Sequence, residues 1–187
     1  MAWIHRNAKA YGGDPDKLFV MGHSAGANIA ALLAFDDRYL VAAGLSPGCI
    51  RGFIGLAGPY ALETGPAFLR GVFSAPYSPD DWQPIRRVTA TAPPTLVLHG
   101  QGDWMVEADE SIELANRLAS LGVPAYAHVY PGRSHRDLLT AWWRPLQHRT
   151  PVLKDTRAFI QSVINERPRS PCTGDPVSVD IRASREI

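Results

Sequence analysis

Leu18-Phe19-Val20-Met21 runs straight into Gly22-His23-Ser24-Ala25-Gly26, and Ala27-Asn28-Ile29-Ala30-Ala31-Leu32-Leu33-Ala34 follows at once. The first four residues are a strand-like apolar run, and the last stretch is rich in small helix formers. Between them stands a G-x-S-x-G pentapeptide. A serine on so sharp a strand-to-helix turn is forced into a strained backbone, with its hydroxyl raised above the sheet. The flanking glycines leave room where a Cβ would strike the neighbouring strand or helix. The helix dipole and the first backbone N–H groups then face the same point. Taken alone, the five residues could be a Gly/Ser turn that merely ends a strand. The strand before them and the Ala-rich helix behind them argue for the first reading.

Working outward, residues 2–11 place Ile4, Ala8 and Tyr11 at helical spacing, and Gly12-Gly13 stops that helix. Asp14-Pro15-Asp16 turns the chain into a strand over Lys17 to Met21. The helix from Ala25 is expected to end near Asp36-Asp37. Gly52-Phe53-Ile54-Gly55-Leu56-Ala57-Gly58 reads as a strand buried on both faces. Residues 59–92 hold five prolines with Tyr60, Phe68, Phe73, Tyr77 and Trp82, and read as a loop or cap-like segment. Pro94 to Gly100 is a third strand. A helix over 107–121 follows, with Ile112, Ala115, Leu118 and Ala119 on its apolar face. Ala125 to Tyr130 is a fourth strand, closed by Pro131-Gly132, and 152–165 is a last amphipathic helix. Residues 1–166 thus read as one domain. Residues 167–187 are polar and aperiodic, and read as a disordered tail. Strands alternating with helices predict a mainly parallel α/β sheet flanked by helices.

Composition bounds the partners. The 187 residues carry 19 basic and 18 acidic side chains, a net charge of +1, which gives no reason to expect nucleic acid or an acidic membrane. No apolar run approaches the ~20 residues that span a bilayer, and residues 1–7 lack a signal-peptide core, so the expected location is cytoplasmic. Cys49 and Cys172 lie far apart with no C-x-x-C pairing. They predict one buried thiol and one tail thiol rather than a disulfide or a zinc site.

A serine hydroxyl needs a base to take its proton and an acid to orient that base. In a parallel sheet, ligands bind at the carboxyl ends of the strands, so the partners should lie just past strand ends. Asp103 follows the third strand in His99-Gly100-Gln101-Gly102-Asp103, and His135 follows the fourth in Pro131-Gly132-Arg133-Ser134-His135. Ser24, Asp103 and His135 therefore stand in that order on three strand-end loops. Glu107 and Asp109 are rival acids, but they open the next helix and suit its N-terminal dipole. His99 reads as a packed structural histidine at a strand end. His23 could line the pocket. His5, His128 and His148 have no supporting context.

The chain resembles the carboxylesterase/lipase branch of the α/β-hydrolase superfamily, and within it small bacterial esterases related to arylformamidases and feruloyl esterases. The matching segments are Tyr11-Gly12-Gly13-Asp14-Pro15, Gly22-His23-Ser24-Ala25-Gly26-Ala27, Gly55-Leu56-Ala57-Gly58-Pro59-Tyr60, Pro93 to Gly100, Asp103-Trp104-Met105-Val106 and Gly132-Arg133-Ser134-His135. The resemblance implies an α/β-hydrolase fold and hydrolysis of small-molecule carboxylic esters through an acyl-enzyme. Ser24 would be nucleophile, His135 general base, Asp103 its orienting acid and the Ala25 N–H an oxyanion donor. It implies no metal and no organic cofactor. Relatives carry an upstream His-Gly-Gly loop that supplies a second oxyanion donor. No such motif precedes Ser24 here, and the resemblance implies that the first strands of the fold are missing. Residues 1–166 would then be the C-terminal part of a single α/β-hydrolase domain. The strand at Lys17–Met21 would become an exposed edge open to a dimer partner. An arylformamidase-like amide hydrolase with the same three residues, and a non-catalytic truncated remnant, stand as alternatives.

Overall fold

The computed structural model describes residues 1–62, 73–166 and 172–173. Helix α1 (Ala2–Asn7) runs on into a 3-10 turn over Ala8–Tyr11, which Gly12 ends in the left-handed region at φ 76°. Strand β1 (Leu18–His23) leads through Ser24 into α2 (Ala25–Phe35). Helix α3 (Asp37–Ala42) was not legible as a separate element. Asp36 starts it by accepting the Arg38 amide at 3.1 Å while its carboxylate also grips the Arg38 guanidinium. Strand β2 (Ile50–Leu56) follows, then a short α4 (Pro79–Trp82) and a 3-10 turn over Pro84–Arg87. Of the expected loop at 59–92, residues 63–72 lie outside the described residues.

Strand β3 (Thr95–Gly100), α5 (Ala108–Ser120), β4 (Ala125–Tyr130), α6 (His135–Thr140) and α7 (Val152–Asn165) complete the chain. The four strands form one parallel sheet in the order β1-β2-β3-β4. β2 and β3 are interior and buried along their whole length, as continuous apolar runs require. β1 and β4 are the edges of this sheet, and Met21 on β1 is exposed.

Alternation along the interior strands divides the core in two. Phe53 and Val97 point to the face covered by α2 and α5, where they meet Ala27, Ala31, Leu114 and Leu118. Ile54, Leu56, Leu96 and Leu98 point to the opposite face, against Leu138 of α6 and Val152, Phe159 and Val163 of α7. This is the period-two rule of a strand, read out on both faces at once. On α5 the buried face is Ser111, Leu114, Ala115 and Leu118. Ile112 and Ala119, expected in the core, face outward instead. A polar residue, Ser111, takes the place on the buried stripe where the sequence pattern put an isoleucine.

The thiol expectation is overturned. Cys49 and Cys172 form a disulfide with Cα atoms 4.6 Å apart across a separation of 123 residues, and there is no free cysteine. The bond is backed by hydrogen bonds that seat the chain beside it. Ser46 N–H donates to the Thr173 carbonyl at 2.8 Å, Thr173 N–H to Ser46 Oγ at 3.0 Å, and Cys172 N–H to Asp16 Oδ1 at 3.1 Å. Sequence spacing carries no information about a pairing this distant; only the fold brings the two sulfurs together. The rest of the expected tail lies outside the described residues. Unreduced protein should therefore show no alkylatable thiol. Reduction should release two and lower unfolding stability by about 2–4 kcal/mol, because the long loop constrains the unfolded chain. Free thiols without reductant, or an unchanged denaturation midpoint after it, would contradict this. Among the described residues no helix is long and apolar enough to cross a membrane.

Candidate active site

Ser24 links β1 to α2 at φ 57°, ψ −128°, a conformation that costs a residue with a Cβ on the order of 1–3 kcal/mol. The turn is held from both sides. Ser24 N–H donates to the Leu56 carbonyl at 2.9 Å, extending the β1–β2 ladder into the turn, and Ser24 O accepts from Ala27 N–H at 2.8 Å. Gly22 is required by close approach. A Cβ there would run into the backbone of Gly26 and Ala27, all main-chain atoms that cannot step aside. Ala25 is the first residue of α2, so its N–H belongs to the first-turn donors that lack an acceptor within the helix.

Asp103 stands just beyond β3. The loop Gly100-Gln101-Gly102 packs against Arg133 on the next strand-end loop, and the Gly102 N–H donates to the Arg133 carbonyl at 2.8 Å. That bond ties the loop carrying the acid to the loop carrying the base. His135 is the first residue of α6 rather than a loop residue. Ser134 and Asp137 make the capping box: the Asp137 carboxylate accepts from Ser134 N–H and Oγ–H, each at 2.7 Å. Those two donors hold Asp137 below the usual carboxylate range. The Ser-x-x-Asp spacing was the available sequence signal for this helix.

The three side chains come together across 111 residues of chain. His135 Nε2 lies 2.8 Å from Ser24 Oγ, and His135 Nδ1 lies 2.6 Å from Asp103 Oδ2. Asp103 and His135 are buried, while Ser24 is partly exposed. Burial by itself would push Asp103 up. The Val106 amide, the His135 bond and the Met105 amide together outweigh it and hold the carboxyl below its ordinary range. Asp103 is thus an anion at neutral pH, set to receive the Nδ1–H of His135. That leaves Nε2 free to accept the serine proton. The rival acids stand elsewhere: Glu107 is the residue preceding α5, and Asp109 lies in its first turn.

His23, the variable residue of the pentapeptide, touches the site. Its Nε2–H donates to the His135 carbonyl at 3.0 Å, and the two rings lie 4.7 Å apart. Two further residues escaped sequence reasoning. Asn28 of α2 donates both amide hydrogens, to Pro59 O at 2.7 Å and to Trp82 O at 2.9 Å. Glu110 of α5 accepts the Tyr60 and Ala61 amides at 2.6 and 2.7 Å. Burial pushes Glu110 up despite those two donors, and nearby Glu113 and Glu107 push the same way. Neither residue belongs to a motif; each is found only where the fold delivers a backbone to it.

Residues 62–167, more than half of the chain, match the family model of the prolyl oligopeptidase family, and residues 1–64 match that of the alpha/beta hydrolase fold. The chain belongs to the α/β-hydrolase superfamily. Among curated relatives of this α/β-hydrolase chain, the isoprenylcysteine alpha-carbonyl methylesterase of Arabidopsis thaliana is 27% identical over 160 residues, covering 74% of the chain and 38% of the relative. Esterase LipC of Mycobacterium tuberculosis is 30% identical over 161 residues, covering 74% of the chain and 40% of the relative. The chain thus spans about two fifths of the length of these relatives. Among solved structures, a thermophilic esterase from the Planctomycetes species Thermogutta terrifontis superposes with a TM-score of 0.68 at 19% identity, covering 87% of this chain and 61% of that one. A truncated carbohydrate esterase from gut microbiota gives 0.67 at 19% identity, covering 87% and 65%. At that identity the likeness is one of fold.

Proposed function

We propose that this chain carries the acylation machinery of a serine carboxylic ester hydrolase. One observation supports this above the others: the hydrogen-bonded series Ser24 Oγ–His135 Nε2 and His135 Nδ1–Asp103 Oδ2, at the carboxyl ends of three parallel strands. In the reaction, Ser24 Oγ attacks the ester carbonyl carbon as its proton passes to His135 Nε2. The Ala25 N–H donates to the oxyanion. Collapse breaks the ester C–O bond, and the leaving alkoxide takes the proton from Nε2. The product is an alcohol and an acyl-Ser24. Water then attacks the acyl carbon as it gives a proton to Nε2; the acyl C–Oγ bond breaks, and Ser24 Oγ takes that proton from Nε2 as the carboxylic acid leaves.

The surroundings favour an apolar group on the ester. Trp104 and Met105, directly after Asp103, are 84% and 56% exposed, and Leu139 and Trp143, beyond His135, are exposed too. Large apolar side chains left in water on the segments that carry Asp103 and His135 suit an apolar acyl or alcohol moiety. Amide hydrolysis by the same residues is the second reading, favoured by the prolyl oligopeptidase match over residues 62–167. The disulfide favours residence in an oxidising compartment over the cytoplasm.

A fluorophosphonate probe tests the proposal without turnover. It should attach to Ser24, as mapped by peptide mass. The labelling rate should fall in acid, as general-base catalysis requires. Asp103, held below the ordinary carboxylate range, remains ionised throughout and adds no second step near neutrality. Hydrolysis of an aryl ester faster than that of the matching anilide separates ester from amide. No labelling at Ser24 leaves the non-catalytic remnant as the reading.

A further inference from the structure

The catalytic reading uses one face of Asp103; the other face is also occupied. Its Oδ1 accepts the Met105 amide at 2.9 Å and the Val106 amide at 3.0 Å. Its Oδ2 accepts from His135 Nδ1 at 2.6 Å and lies 3.2 Å from Nε2 of His99. His99 Nε2 is also 3.0 Å from the Val106 carbonyl. A carboxylate and a carbonyl can only accept, so Nε2 carries the hydrogen and shares it between them. His99 is fully buried, and burial keeps its ring neutral. Nδ1 is therefore bare, and accepts the hydroxyl of Ser111, 2.7 Å away on α5. Ser111 is also fully buried.

We infer that His99 is a positioning residue for the catalytic pair. Its Nε2–H, fixed in that tautomer by its two acceptors, Val106 O and Asp103 Oδ2, holds Asp103 Oδ2 toward His135. The inference rests on the Ser24–His135–Asp103 reading. Its geometry is a closed cycle. The Val106 N–H donates to Asp103 Oδ1, the Val106 carbonyl accepts from His99, and His99 donates to Asp103 Oδ2. The cycle hangs on β3, an interior strand bonded on both sides. The acid, which sits on a glycine-flanked loop, thereby gains the rigidity of the sheet. This also accounts for the polar residue on the buried stripe of α5, where Ser111 meets the ring. His99 shares the negative charge of Oδ2, so the carboxylate binds the Nδ1–H of His135 less tightly than it would alone. The other titratable neighbours are fixed. His23 of β1 donates to the His135 carbonyl, and Asp137 of α6 turns back onto Ser134.

The test compares His99→Leu with His99→Gln in the full chain, using fluorophosphonate inactivation resolved into a maximal rate and a half-saturation concentration. Gln places an NH2 near the Nε2 position and can donate to both Val106 O and Asp103 Oδ2; Leu donates to neither. His99→Leu should lower the maximal rate about 10- to 100-fold, since a donor to a buried charge is lost. It should leave half-saturation unchanged and move the acid limb of the pH profile upward. His99→Gln should restore the rate to within about threefold and return the limb. Should His99→Leu not fold, nitrogen NMR of the wild-type ring gives the answer: Nε2–H with bare Nδ1 is expected, and the Nδ1–H tautomer overturns the inference. Equal impairment in both variants with an unmoved acid limb would also overturn it, as would wild-type behaviour of His99→Leu. Wild-type chain that is not labelled at Ser24 at all overturns the catalytic reading itself, and the inference with it; labelled wild type with indifferent His99 variants overturns only the inference.

Discussion

Replacing Ser24 by Ala is expected to remove probe labelling entirely and to lower ester hydrolysis on the order of 10⁶-fold. The loss is chemical, because the change deletes only the hydroxyl that lies 2.8 Å from His135 Nε2. The backbone bonds that fix the turn come from Ser24 N–H and Ser24 O, and alanine keeps both. The positive φ of 57° suits alanine no better and no worse than serine. Thermal or denaturant midpoints should therefore stay within the small range of a surface substitution while the rate collapses. A Ser24→Ala protein that retained its rate would remove Ser24 as nucleophile. One that lost its fold would place the residue's main role in the turn.

Asp103→Asn is expected to cost about 10⁴-fold in rate while also preserving the fold. The surrounding donors decide how asparagine would sit. The Met105 and Val106 amides need an acceptor, so the amide oxygen takes the Oδ1 position. The NH2 then faces His135 Nδ1 and His99 Nε2. His135 must accept from it at Nδ1 and carry its hydrogen on Nε2, where it donates to Ser24 instead of taking its proton. His99 meets a donor with a donor, and must lean on Val106 O alone. The tautomer of His135 is the measurement: nitrogen NMR should show it reversed between wild type and variant. An Asp103→Asn protein with near-normal rate and an unreversed ring would exclude Asp103 as the orienting acid.

Much of this architecture was legible because period and punctuation agreed. The fourth strand and the last helix were read at their observed bounds, Ala125–Tyr130 and Val152–Asn165. The turn at Ser24 was legible because strand, small residues and helix follow without a gap. Asp103 and His135 were picked out by asking what lies just past a strand end, a rule of parallel sheets rather than of any one residue, and the fold brings the two side chains into hydrogen-bond contact. What escaped was settled by contacts between distant segments. α3 and α6 are each six residues long, too short for a periodic face, and only their caps at Asp36 and Ser134 announce them. The face of α5 was misplaced because hydrophobicity favours Ile112, whereas the buried imidazole of His99 selects Ser111. The disulfide depends on a segment more than a hundred residues away, which no local pattern encodes.

The anchoring of the segment after β2 has an evolutionary consequence. Ser24, Asp103 and His135 are mounted on β1, β3, β4 and the loops that leave them. Two side chains hold the described residues of 59–92 by their main-chain atoms: Asn28 holds the Pro59 and Trp82 carbonyls, and Glu110 holds the Tyr60 and Ala61 amides, while Tyr60, Val88 and Ala92 are buried in the core they share with α2. Bonds to the backbone are blind to side-chain identity. Substitutions at exposed positions of this segment, such as Tyr77, can therefore accumulate without disturbing either clasp, whereas Tyr60 is fixed by its packing on Phe53. A lineage carrying Asn28 and Glu110 is free to vary the exposed side chains of this stretch while the two clasps stay under a separate selection.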